Sequence, residues 1–196
     1  SYFLEYVNTT FRQITDGFIK EDLGMLHKAE STMRRKREEL KNSRRKEMIG
    51  FRKIDPEVAM EKNTWFHLGR NSCEEILYCL RRIADPCEEH VDNNFVPLSK
   101  EQVKEYIPLR DTVLFLLRRT EKILQTDSYD EVDEVRREAE ELKDCLEKAR
   151  EAQMQRMQSS KENIAVAYLY LNLLQETREL TSSLRHLLRA SKGFRE

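Results

Sequence analysis

Carboxylates four residues apart on a helix lie on one face, so a pair such as Glu140 and Asp144 could offer oxygens to a single cation. A denser acidic group, Asp85, Glu88, Glu89, His90 and Asp92, gathers around Pro86, and Asp85, Glu89 and His90 are its candidate metal ligands. Both groups read more readily as solvated carboxylates of charged helices. No Gly-rich phosphate loop, Gly-x-Ser-x-Gly elbow or His-Glu-x-x-His occurs, and none of the four histidines follows a Glu by three residues, as a helical di-iron carboxylate site requires. These absences exclude the common catalytic arrangements. The chain reads as non-enzymatic, with no cofactor expected and a divalent or transition metal disfavoured.

A second kind of chemistry is electrostatic. Arg34-Arg35-Lys36-Arg37 is followed by Arg44-Arg45-Lys46 and Arg52-Lys53, giving ten basic against three acidic residues between Arg34 and Lys53. Between Asp127 and Glu151 the balance reverses, with eleven acidic and five basic residues. The two stretches read as solvated faces, complementary within one chain or across a dimer. Alternatively, Arg34, Arg35, Lys36, Arg37, Arg44, Arg45 and Lys46 form a basic interaction surface for anionic lipid headgroups or an acidic partner. Nucleic acid is excluded as the partner, because single-strand binders interleave aromatic residues with their arginines and this stretch supplies only Phe51.

The elements that must carry these residues are helices. Charged residues make up 36% of the 196, and Gly and Pro number only five and four, which favours long solvated helices over sheets. With 35 basic and 36 acidic residues, net charge selects no class of partner. Cys73, Cys79, Cys87 and Cys145 lack zinc-site spacing and disulfide density; the first three share one helix and read as small apolar residues in a reducing compartment. The longest near-apolar run, Ile164 to Leu174, is too short to cross a bilayer, which takes roughly 20 residues.

Helical spacing predicts six helices. They run over about 2–20, 26–51, 56–92, 99–126, 129–158 and 161–191. Asp55 is the expected N-cap of the third, with Pro56 at its first position, and Ser99 with Gln102 forms a capping box for the fourth. Pro86 removes an internal hydrogen bond, so the third helix is expected to kink or shed its last turn there. In the sixth, Ile164, Tyr168, Leu171, Leu174, Leu180, Leu184 and Leu187 form the expected core stripe. Asn63, Asn71, Asn163 and Asn172 are the polar residues expected to interrupt packed helices with internal hydrogen bonds.

The chain also reads as doubled. Glu38-Glu39-Leu40-Lys41 recurs as Glu140-Glu141-Leu142-Lys143, and Leu80-Arg81-Arg82-Ile83 is echoed by Leu184-Arg185-His186-Leu187 at nearly the same offset. The fold class expected is therefore all-α, with two tandem antiparallel three-helix bundles: residues 1–94, a linker at 95–98, and residues 99–196.

The stretch NTWFHLGRNSCEEILYCLRRIADPCEEHVDN, from Asn63 to Asn93, resembles the second half of a PhoU repeat, with Leu80, Arg82, Ile83 and Asp85 matching that family's long-helix ending. DPEVAMEKNTWFHLG, HVDNNF and LLQETRELTSSLRHLLRAS extend the likeness, which resembles the PhoU-like cytoplasmic domain of bacterial sodium/phosphate cotransporters. The resemblance implies a regulatory domain on the cytoplasmic face of the inner membrane. It also implies a membrane transporter domain in the same polypeptide, a homodimer, and contact with the inner membrane surface. The opening Ser-Tyr-Phe-Leu-Glu-Tyr-Val, a helical pattern already under way, is consistent with an excised piece. A free-standing PhoU-like adaptor acting on a transporter or sensor kinase in trans is the alternative. The family's metal-binding form holds clusters with carboxylates four apart, but Arg81 stands where the acidic partner of Asp85 belongs, and Arg185 and Arg189 occupy the corresponding positions of the second half. A fixed positive charge removes a donor and repels the cation, so Asp85 is expected to pair with an arginine.

Overall fold

The computed structural model describes the backbone of residues 3–51 and 56–196 and, within these, the side chains other than those of 44–51, 56, 58, 59 and 61. Among the described residues there are six α-helices and no strand: α1 (Phe3–Ile19), α2 (Leu23–Phe51), α3 (Pro56–Asp92), α4 (Lys100–Thr126), α5 (Val132–Ser159) and α6 (Ile164–Arg195). The chain is all-α. The proposed cap Asp55 lies outside the described residues.

Local chemistry sets the boundaries. Ser99 accepts from the Gln102 N–H at 3.1 Å while the Gln102 side chain accepts from the Ser99 N–H at 2.9 Å, so the capping box starts α4 by satisfying two donors reciprocally. Asp127 closes that helix in the left-handed region, at φ 53°. Residues Tyr129–Glu131, expected to open the fifth helix, instead form a 3-10 turn, and α5 begins at Val132, the first of its buried apolar residues. The sixth helix starts later than expected and runs longer. Asn163 accepts from the Val166 N–H at 3.1 Å and caps it, so Lys161 and Glu162 remain in the connection.

Pro86 does not split α3, which continues unbroken to Asp92. A proline at this position leaves the carbonyl four residues earlier, that of Arg82, without its usual N–H partner. The Asn172 side chain on α6 donates to that carbonyl at 3.1 Å. A neighbouring helix thus supplies the missing donor.

Apolar residues recurring at helical spacing join one core, in which Phe11, Ile14 and Phe18 of α1 meet Leu26 of α2, Ile76, Leu80 and Ile83 of α3, Leu116 and Leu117 of α4, and Leu180 and Leu188 of α6. The expected stripe of α6 is only partly core. Leu174, Leu180, Leu184 and Leu187 are buried, but Ile164 and Tyr168 are 69% and 62% exposed. Over its first turns α6 instead buries Val166, Ala167, Leu169, Tyr170 and Leu173, because it must face both α3 and α5 there. Cys79 and Cys87 are buried, Cys73 is half-buried, and Cys145 is exposed.

The helices pack with α1, α2 and α3 in mutual contact and α4, α5 and α6 in mutual contact. Two further contacts join these sets, α1 with α4 and, most extensively, α3 with α6. Cross-helix pairs give the directions: His27 meets Glu88 near the start of α2 and the end of α3, Lys36 lies over Tyr6, Gln102 meets Gln153, and Arg82 meets Glu176. Successive helices therefore run antiparallel. The α1–α4 and α3–α6 pairs are antiparallel as well.

Candidate functional site

The expected metal ligands near the end of α3 are separated by helical geometry. Asp85 is half-exposed and takes the Arg81 guanidinium at 3.3 Å, one turn before it. Glu89 is exposed on the outer side and borders a hollow of about 300 Å³ with Pro86, Phe95 and Tyr168. His90 also borders this hollow but is otherwise enclosed. It is only 5% exposed, stands edge-on to Phe18 and Phe95, and its Nε2 donates to the Val96 carbonyl at 2.6 Å. A carbonyl can only accept, so Nε2 carries a proton and ties α3 to the linker. Asp85, Glu89 and His90 are not brought together.

On α5, Glu140 lies against Arg185 of α6 at 2.5 Å and 3.7 Å from Lys143, while Asp144 is exposed. A cation shared by Glu140 and Asp144 would have to displace the guanidinium. Among the described residues, no three His, Cys, Asp or Glu side chains converge as metal ligands.

The basic surface lies along α2. Arg34 pairs with Glu30 at 2.9 Å, Lys36 with Glu39 at 3.2 Å, Arg35 is exposed, and Arg37 borders a hollow of about 200 Å³ with Leu40, Glu74 and Tyr78. Arg44, Arg45 and Lys46 belong to the same helix, and their side chains lie outside the described residues.

Sequence reasoning missed the polar seams between helices. In the α3–α6 seam, Arg82 donates through Nε to Glu176 at 2.9 Å and through Nη2 to Glu75 at 2.7 Å. Burial acts to lower the Arg82 pKa, but the bonds to Glu176 and Glu75 outweigh it and raise it, so the guanidinium stays charged. Cys79 lies beside this cluster, and burial, reinforced by the Glu176 charge, pushes its thiol up to about 12. The thiol is inert rather than nucleophilic. Asn8 of α1 donates to the Leu114 carbonyl of α4 at 2.8 Å, and Arg110 of α4 bonds Asp16 of α1.

A polar network joins α4, α5 and α6. Arg156 donates to Glu105 at 3.1 Å and to Gln153 at 2.6 Å; Glu105 also accepts from the Tyr170 hydroxyl at 2.7 Å. Gln153, fully buried, accepts from Gln102 at 3.1 Å and donates to Glu162 at 2.7 Å. Beneath them Tyr106 and Thr177 share a hydrogen bond of 2.8 Å. Burial raises the pKa of both tyrosines, keeping them neutral donors. Every one of these groups is occupied by another, so the network fixes helix register.

Of the four asparagines singled out from the sequence, Asn172 bridges two helices, Asn163 caps α6, Asn71 is exposed and Asn63 is half-buried. Comparison of the chain with protein-family models, with characterised proteins and with solved structures gives no match in any of the three. No described helix is long and apolar enough to cross a membrane.

Proposed function

We propose that the chain is a PhoU-like, non-catalytic regulatory domain of a sodium-dependent phosphate transporter, built as two tandem three-helix bundles and acting through helix-face contacts. One observation carries this reading: the pattern of helix contacts is unchanged when α1 is exchanged with α4, α2 with α5 and α3 with α6. A duplicated unit paired with its own copy has this property, and the sequence echoes between α2 and α5 and between α3 and α6 agree with it. The occupied polar seams support a role carried by outer surfaces rather than by an internal site.

The test is phosphate uptake by cells expressing the complete native protein with and without residues 1–196. Loss of the domain is expected to change sodium-dependent uptake of radiolabelled phosphate by about fivefold or more, the ordinary scale of regulatory coupling. Unchanged uptake, or a native reading frame encoding no membrane-spanning segments, would reject the transporter attachment. In the second case the trans-acting adaptor takes its place.

A further inference from the structure

The basic helix α2 and the acidic exposed face of α5 do not meet within the molecule. The basic helix α2 packs on α1 and α3, whereas the acidic helix α5 packs on α4 and α6. They lie on opposite flanks. They are also nearly equal in length, 29 and 28 residues, or about 42 Å each at 1.5 Å per residue. Among the described side chains, exposed Lys28, Arg34, Arg35 and Lys41 outnumber Glu38 and Glu39 on α2, and exposed Asp133, Glu134, Glu140, Glu141, Asp144 and Glu151 outnumber Arg137 and Lys148 on α5.

From this arrangement we infer that copies of this chain associate head to tail, the α2 flank of one copy docking on the α5 flank of the next. Three flank contacts between copies are conceivable. Two of them, α2 on α2 and α5 on α5, oppose like charges; only α2 on α5 joins opposite ones. The short-range pairs on these faces, such as Arg34 with Glu30, are exposed and weak, so they exchange readily for partners on another copy. Because donor and acceptor flanks lie on opposite sides, the contact is heterologous. It extends into a ring or an open chain of subunits instead of closing as a two-fold dimer. This inference does not depend on the transporter reading.

The test uses the full chain and two surface variants, Arg34→Glu/Arg35→Glu and Glu141→Arg/Asp144→Arg, with helix content checked by circular dichroism. In sedimentation velocity at about 20 mM salt, the wild type is expected at twice the monomer mass of 23.5 kDa or more, returning to monomer at about 500 mM, where screening acts within a few Å. Each variant alone is expected to stay monomeric at low salt, and an equimolar mixture to associate again, since the unaltered α2 of one variant then meets the unaltered α5 of the other. A wild type monomeric at low salt would overturn the inference, as would association that persists in both single variants. Binding of a monomeric wild type to phosphatidylglycerol vesicles, lost in Arg34→Glu/Arg35→Glu, would overturn it in favour of a lipid surface.

Discussion

At the scale of single residues, the clearest dependence is between Pro86 and Asn172. Removing the Asn172 side chain leaves the Arg82 carbonyl without a protein donor, so Asn172→Ala is expected to lower stability by about 1 kcal/mol, the usual net worth of such a bond. Pro86→Ala restores an N–H in the turn, so the same asparagine substitution is expected to cost less in that background. Urea unfolding of the four proteins completes the double-mutant cycle, and equal costs in both backgrounds would refute the compensation. Gly193 is a second sensitive position: a Cβ there would stand 2.5 Å from the Trp65 ring. Gly193→Ala is expected to destabilise by about 1–3 kcal/mol through forced repacking, read as a lowered thermal midpoint. Part of this was legible in the sequence. Pro86 announced an orphaned carbonyl and Asn172 stood out as a polar interruption, but their pairing depends on how α6 lies on α3, which no local pattern encodes. Asn8 went unnoticed for the same reason, since its acceptor belongs to another helix.

At the scale of elements, the periodicity of apolar residues located all six helices, while their ends depended on caps. Ser99 was readable because both halves of its capping box lie within four residues. Asn163 was hidden by the charged Lys161 and Glu162, which continue the helical pattern without joining the helix. The candidate metal residues illustrate the same limit. Spacing puts Glu140 and Asp144 on one face, yet it is the packing of α6 that brings Arg185 onto Glu140. The network around Arg156 makes a firm prediction for the α4–α5–α6 contacts. Arg156→Ala removes one donor from each of Glu105 and Gln153, leaving them those of Tyr170 and Gln102, and is expected to cost about 1–3 kcal/mol. Denaturant unfolding measures it, and a change within about 0.5 kcal/mol, typical of unremarkable surface positions, would show the network to be ornamental.

At the scale of the whole molecule, burial of ionisable groups sets the alkaline limit of stability. Burial pushes the thiol pKa values of Cys73 and Cys79 up to about 12, and it raises those of the Cys87 thiol and the Tyr106 and Tyr170 hydroxyls as well. The unfolded chain releases these protons first, so it binds fewer protons than the native state above its own pKa values, near 9 for the thiols. Stability contributed by these groups is full below that point and falls as pH rises toward the folded values. The urea midpoint is therefore expected to drop between about pH 9 and about pH 12, and a flat profile would contradict the burial. The extensive α3–α6 contact has a further consequence: residues 1–94 and 99–196 expressed separately are expected to lose helix content and regain it on mixing. Full helicity of either piece alone would show the halves to be independent.

The alternating direction of the six helices distributes their termini evenly, so each end of the molecule presents three amino and three carboxyl helix ends. The partial charges of the peptide dipoles, positive where a helix begins and negative where it stops, then offset one another at both ends. This arrangement differs from a cluster of helix starts, which forms a ready-made cradle for a phosphate group. Attraction of an anion to the arginine and lysine side chains on the flanks will weaken steeply as salt is added.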